Sequence, residues 1–125
     1  MYDSELVLSI LEQIHGALQT IMMRSIKATD ASYFTNSNEG MEKLDSICML
    51  FIAIGESIKN IDKITNKKLF SKFSEIDWKG IMGFRDVIAH HYFDIDAEQV
   101  YWICKNELEP LTKVIEILIK ELSNS

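Results

Sequence analysis

The amino-acid sequence predicts an all-α fold, an up-and-down four-helix bundle with one short extra helix. Three observations predict it: apolar residues recur at helical spacing in four segments, no stretch alternates as a half-buried strand does, and the connections are short. A chain of 125 residues can bury one core without disulfides, so a single domain over residues 1–125 suffices. Charged residues make up 26% and hydrophobic ones 47%, the balance of a globular chain rather than a disordered one.

The first helix is expected from a cap at Asp3 or Ser4 to about Lys27, because Leu6, Ile10, Leu11, Ile14, Leu18, Ile21 and Met22 form one stripe. His15 lies on its flank and reads as a structural or exposed histidine. Thr29 to Asn38 is rich in side chains that compete with helical backbone bonds and reads as a loop. The second helix, Glu39 to Ile61, is apolar on nearly every side between Ile47 and Ile54, so it is expected to be central or shared with a partner chain. Glu56 extends its stripe; either it sits sheltered and paired, or it is exposed at the helix end.

A short basic helical turn is expected within Asn66 to Ser74. Asp77 then caps a third helix, Trp78 to His91, in which Gly80 and Gly83 permit close helix approach. Asp96, with a capping-box spacing to Gln99, starts the last helix, which is expected to reach Leu122. Pro110 must either kink it or start a new segment, since proline has no N–H to donate.

The net charge of −6 argues against a generic nucleic-acid binder, because phosphate neutralisation needs basic residues. The charge is unevenly distributed, however. Between Lys59 and Arg85 seven bases (Lys59, Lys63, Lys67, Lys68, Lys72, Lys79 and Arg85) stand against three acids (Asp62, Glu75 and Asp77). Either this is a solvated face or it offers Lys67, Lys68, Lys72 and Lys79 to RNA. The longest uncharged apolar run, Ile47 to Gly55, is too short to cross a bilayer, and Met-Tyr-Asp-Ser-Glu is no secretory start; a cytoplasmic location is expected. Cys48 and Cys104 are far apart within apolar helical patterns and read as buried free thiols. No cofactor or metal is called for by any motif.

The informative stretch runs from Trp78 to Asp96. Its Arg85, His90 and Tyr92 form Arg-x4-His-x-Tyr, followed by Phe93-Asp94-Ile95-Asp96. With Ile54-Gly55-Glu56 on the second helix, this resembles the HepT-like branch of the HEPN-domain ribonucleases over nearly the whole chain. The resemblance implies a HEPN-like homodimeric bundle and a metal-independent endoribonuclease toxin neutralised by a minimal nucleotidyltransferase antitoxin. It implies Arg85 and His90 as catalytic residues, Tyr92 as the place where the antitoxin adds AMP, and Asp86 and Glu56 in support. Asp86 stands where such chains more often carry asparagine. A non-catalytic helical module that binds a nucleotide or a nucleotidyltransferase is the alternative.

The residue types suit RNA cleavage on their own chemistry. Attack by the 2′-hydroxyl needs a base, an acid and a cation at the phosphorane. His90 can change protonation near neutral pH, and Arg85 stays charged with a planar fork of donors. One imidazole cannot be acid and base at once, and His91 points about 100° from His90 on a helix and reads as peripheral. A two-fold dimer would supply a second His90 across one groove. Arg85 and Tyr92 fall about 20° apart on an ideal helix and are expected to share that groove. His90, about 140° from Arg85, is expected to rejoin it where the helix frays.

Overall fold

The structure is a computed structural model that describes residues 2–124. The first helix, α1 (Ser4–Ser25), starts where Asp3 Oδ1 accepts a hydrogen bond from the Leu6 N–H at 3.1 Å. Its stripe of Leu11, Ile14, Leu18 and Ile21 is fully buried, each side chain contributing about 1.5–3 kcal/mol by leaving water. Although α1 is long and apolar enough by composition to span a membrane, that stripe is turned inward against α2 (Asn38–Ile64) and the C-terminal helix. His15 has the structural role expected of it, with Nε2 2.9 Å from Glu116 Oε2.

The segment expected to be a plain loop holds a 3-10 turn at Ala31–Phe34. Its polar residues act as caps rather than as helix breakers: Asp30 Oδ1 accepts from the Ser32 N–H at 2.9 Å, and Phe34 is fully buried. The turn lies so close to α2 that a Cβ on Gly40 would stand 1.8 Å from the Tyr33 carbonyl oxygen, so only glycine fits there. Ser37 caps α2, which begins at Asn38, one residue before the expected start, and runs three residues past Ile61. It ends as Asn66 and Lys67 turn left-handed (φ 54° and 64°) and the Lys67 N–H reaches back to the Asp62 carbonyl at 2.8 Å. As its pattern implied, α2 is central, with α1 on one side and α3 (Trp78–His90) on the other.

Phe70, in a 3-10 turn at Phe70–Lys72, stacks on Trp78 at 4.1 Å, and Trp78 Nε1 donates to the Phe73 carbonyl at 3.0 Å. These contacts and the Asp77 cap on the Gly80 N–H at 2.9 Å fix where α3 begins. Only Ile88 of α3 is fully enclosed, since α3 rests mainly on α2. The last helix is two helices, α4 (Ala97–Asn106) and α5 (Leu108–Ser123), which resolves the choice left by Pro110. Pro110 is the third residue of α5, a position whose N–H has no acceptor within the helix, so the chain breaks before it rather than kinking at it. The fold is therefore all-helical as expected, with five α-helices and no strand among the described residues.

Cys48 and Cys104 are free and buried, as expected. Burial pushes the Cys48 thiol up to about 12 and that of Cys104 to about 11.

Candidate active site

Arg85 is placed by a close helix crossing. A Cβ on Gly55 would meet Arg85 Cβ at 2.6 Å and the Ile81 carbonyl oxygen at 3.4 Å, so the bare backbone of α2 is what lets α3 sit down at this point. Gly83, expected to serve such an approach, faces open space. The crossing brings Arg85 Nε to 2.5 Å from Glu56 Oε1, and Arg85 Nη1 donates to Asp86 Oδ1 at 2.8 Å. The first of these is an ion pair out of line with the N–H: buried Nε has no aligned hydrogen-bond partner. Glu56 is paired but half exposed, and α2 continues to Ile64, so it is neither sheltered nor at the helix end.

Asp86 joins the rest of the cluster. Its carboxyl is held below the ordinary range, first by the hydrogen bond from Arg85, then by that residue's charge and those of Lys59 and His90. In return Asp86, and after it Glu56, hold the Arg85 guanidinium more firmly in its charged form. His90 is the last residue of α3 and exposed, one turn beyond Asp86 on the same side. The expected direct reunion of His90 with Arg85 does not occur; α3 stays regular through His90, and Asp86 is their shared neighbour.

Tyr92 lies past the end of α3 in a 3-10 turn at Tyr92–Asp94. Its hydroxyl donates to Asp45 Oδ1, at the other end of α2. Asp45 and Glu56 are on one side of α2, about 20° and three turns apart, or roughly 16 Å along the axis. Arg85 and Tyr92 therefore lie toward the same side of α2 but mark opposite ends of a stripe that Met49 and Ile52 fill between them. Partial burial, then the Asp45 hydrogen bond and charge, push the Tyr92 phenol well above the ordinary tyrosine range. The wild-type minus Tyr92→Phe ultraviolet titration is expected to show a phenol that stays neutral past that range. Asp45→Asn should bring it part of the way back; no change with Asp45→Asn would mean the contact is absent in solution.

His91 caps α3 through its backbone N–H, 2.9 Å from the Val87 carbonyl, and points to solvent, in keeping with a peripheral role. Lys67, Lys68 and Lys72 do not join the cluster. They follow the C-terminal end of α2, where Lys72 Nζ is 3.5 Å from Glu121 Oε1. Lys79 is exposed near the start of α3, about 9 Å along the axis from Arg85. Sequence reasoning counted Lys59 only as one of the local bases and missed Asp45 altogether. Lys59 had a usable signal, lying one turn past Glu56 on α2; Asp45 had none, being 47 positions from Tyr92.

One face of the protein thus presents a charged guanidinium, an imidazole and an ammonium group around a carboxylate, with a phenol at the far end. Such a set can bind a phosphodiester and exchange protons with it.

Among known proteins, the family described as Ribonuclease HepT-like matches residues 10–118. A candidate RNase of Methanocaldococcus jannaschii is 35% identical over 69 residues, covering 55% of this chain and 54% of its own. A second, from Caldanaerobacter subterraneus subsp. tengcongensis, is 36% identical over 69 residues, 54% of this chain and 58% of its own. A further M. jannaschii candidate RNase is 27% identical over 93 residues, 73% of this chain and 85% of its own. The match to the first two spans little more than half of their length. No solved structure matches the chain at a comparable level of significance.

Proposed function

Because the chain belongs to the Ribonuclease HepT-like family, we propose that it is a metal-independent endoribonuclease of the HEPN type that works as a homodimer in the cytoplasm. The observation that carries this reading is the grouping of Arg85 and His90 around Asp86 on the open side of α3. A neutral His90 takes the proton from the ribose 2′-hydroxyl. The 2′-oxygen attacks phosphorus, and Arg85 meets the charge that builds on the phosphorane oxygens. The P–O5′ bond breaks and a protonated imidazole gives the leaving oxygen its proton.

Each chain carries one such imidazole, so the acid and the base come from two copies of His90 across a two-fold axis. Support for the pairing comes from the apolar surface beside the motif: Met49, Val87, Tyr92 and Phe93 are exposed, Phe93 at 102%. Lys59 adds phosphate attraction at the cluster, and Lys67, Lys68, Lys72 and Lys79 extend a weaker positive track.

The same reading makes the protein the toxin of a pair with a minimal nucleotidyltransferase antitoxin. Tyr92 is the acceptor of AMP, and its hydroxyl must leave Asp45 for that transfer. The added phosphodiester puts bulk and negative charge on the face that Arg85 and His90 serve.

The alternative, a non-catalytic helical module that holds a nucleotide or a nucleotidyltransferase, draws on one observation: Glu56 and Asp86 already occupy Arg85. Incubation with RNA in excess EDTA separates the two. The nuclease reading expects cleavage that leaves 2′,3′-cyclic phosphate ends and fails on a strand whose scissile 2′-hydroxyl is replaced by hydrogen. Binding without cleavage, or cleavage that chelator abolishes, sinks it.

A further inference from the structure

A cavity of about 470 Å³ opens between α3 and the α4–α5 corner, and neither Arg85, His90 nor Tyr92 lines it. It exists because α3 rests on α2 while α4 and α5 pack on each other and on α1, which leaves the flank of α3 uncovered. Phe51 and Ile54 of α2 form the floor, Ile81 and Phe84 of α3 one wall, and Trp102 and Ile103 of α4 the other. Phe84 meets Phe51 edge-on at 5.6 Å, so this wall is anchored in the core. Trp102 is 55% exposed, a large apolar surface left in water at the rim.

The rim has one sign of charge. Glu75 and Asp77 stand where α3 begins, Glu107 stands at the α4–α5 corner, and no lysine or arginine is among the lining residues. Gln99, Trp102, Ile103 and Asn106 present one face of α4 over about 10 Å, the length of two helical turns. A groove of that length with an aromatic edge suits an inserted helix. Carboxylates at both ends favour cationic flanks on that helix and repel acidic ones.

We propose that this groove docks a helix of a partner protein that carries a large apolar side chain flanked by lysine or arginine. The apolar side chain enters between Phe84 and Trp102, and its basic neighbours reach Glu107 at one end and Glu75 and Asp77 at the other. The docked helix lies about a quarter turn around α3 from Arg85, and its binding requires neither RNA nor cleavage.

The test selects a displayed library of helical peptides, randomised at surface positions, on the full-length chain. The enriched peptides are then measured against Trp102→Ala and against the double variant Glu75→Gln, Glu107→Gln. Asp77 is left in place because it caps α3, whereas the Glu107 side chain caps nothing. Both variants are expected to keep the wild-type circular dichroism and Tm. The enriched peptides should be basic with a bulky apolar residue, shift a tryptophan emission that Trp102→Ala removes, and lose roughly tenfold or more in affinity for each variant. No enrichment, acidic winners, or affinity indifferent to both variants overturns the proposal. A self-association of this chain that Trp102→Ala dissolves assigns the groove to a second copy and overturns it as well.

Discussion

Replacing His90 by alanine is expected to lower RNA cleavage by roughly 10²–10⁴-fold, the range that general acid–base catalysis supplies. Thermal stability should stay at the wild-type value. The side chain is exposed at the end of α3, so its loss opens no cavity. The charge effect on Asp86 is the smallest of those acting on that carboxyl. Arg85→Ala is expected to cost roughly 10²–10³-fold, as the loss of one transition-state donor does. Its structural footprint differs, because it removes the partner of both Glu56 and Asp86, while the Cβ that meets Gly55 stays in place. Arg85→Lys should recover only part of the activity, since an ammonium group cannot offer the planar fork. Cleavage that survives His90→Ala with product ends unchanged would remove the imidazole from the mechanism.

Gly55→Ala carries the second large effect, and it acts without touching a charged group. A new Cβ would stand 2.6 Å from Arg85 Cβ, an atom fixed to the backbone, so α3 itself must move away from α2. The expected cost is about 1–3 kcal/mol of overpacking, offset in part by the roughly 0.5–1 kcal/mol that alanine gains over glycine within a helix. Cleavage should fall by about 10²-fold, because a displacement near 1 Å of a positioned group is enough for that. Denaturant unfolding read beside kcat/KM at a temperature where the variant is fully folded separates the two effects. A variant as stable and active as wild type would mean that the helices do not meet at Gly55.

The Asp86 carboxyl gives the same cluster a pH signature. Its folded pKa lies below the ordinary carboxylate range, so its contribution to stability is complete above that range and fades as pH falls toward the folded value.

The parts of the site legible in the sequence were those that one helix carries. Arg85, Asp86 and His90 lie within six positions of each other, and their spacing alone placed Asp86 next to one and one turn from the other. Glu56 stood out as a carboxylate on an apolar stripe, which identified it as a group in need of a partner. The expectation that Arg85 and Tyr92 face one groove was geometrically sound for a continuous helix. It was overtaken when the chain left helical geometry at His91 and sent Tyr92 to Asp45.

The sequence by itself determined the helical class, the caps at Asp77 and Asp96, the buried thiols and the motif residues, because periodicity and capping are settled among residues within about a turn of one another. Only the tertiary structure decided that Gly55 and not Gly83 receives the neighbouring helix, that Asp45 holds Tyr92, that Lys59 joins Asp86, and that α3 keeps an open flank toward Trp102. Each of these depends on the rotation and offset of one helix against another. Those are set by the summed packing of many side chains far apart in the chain, which no local spacing encodes.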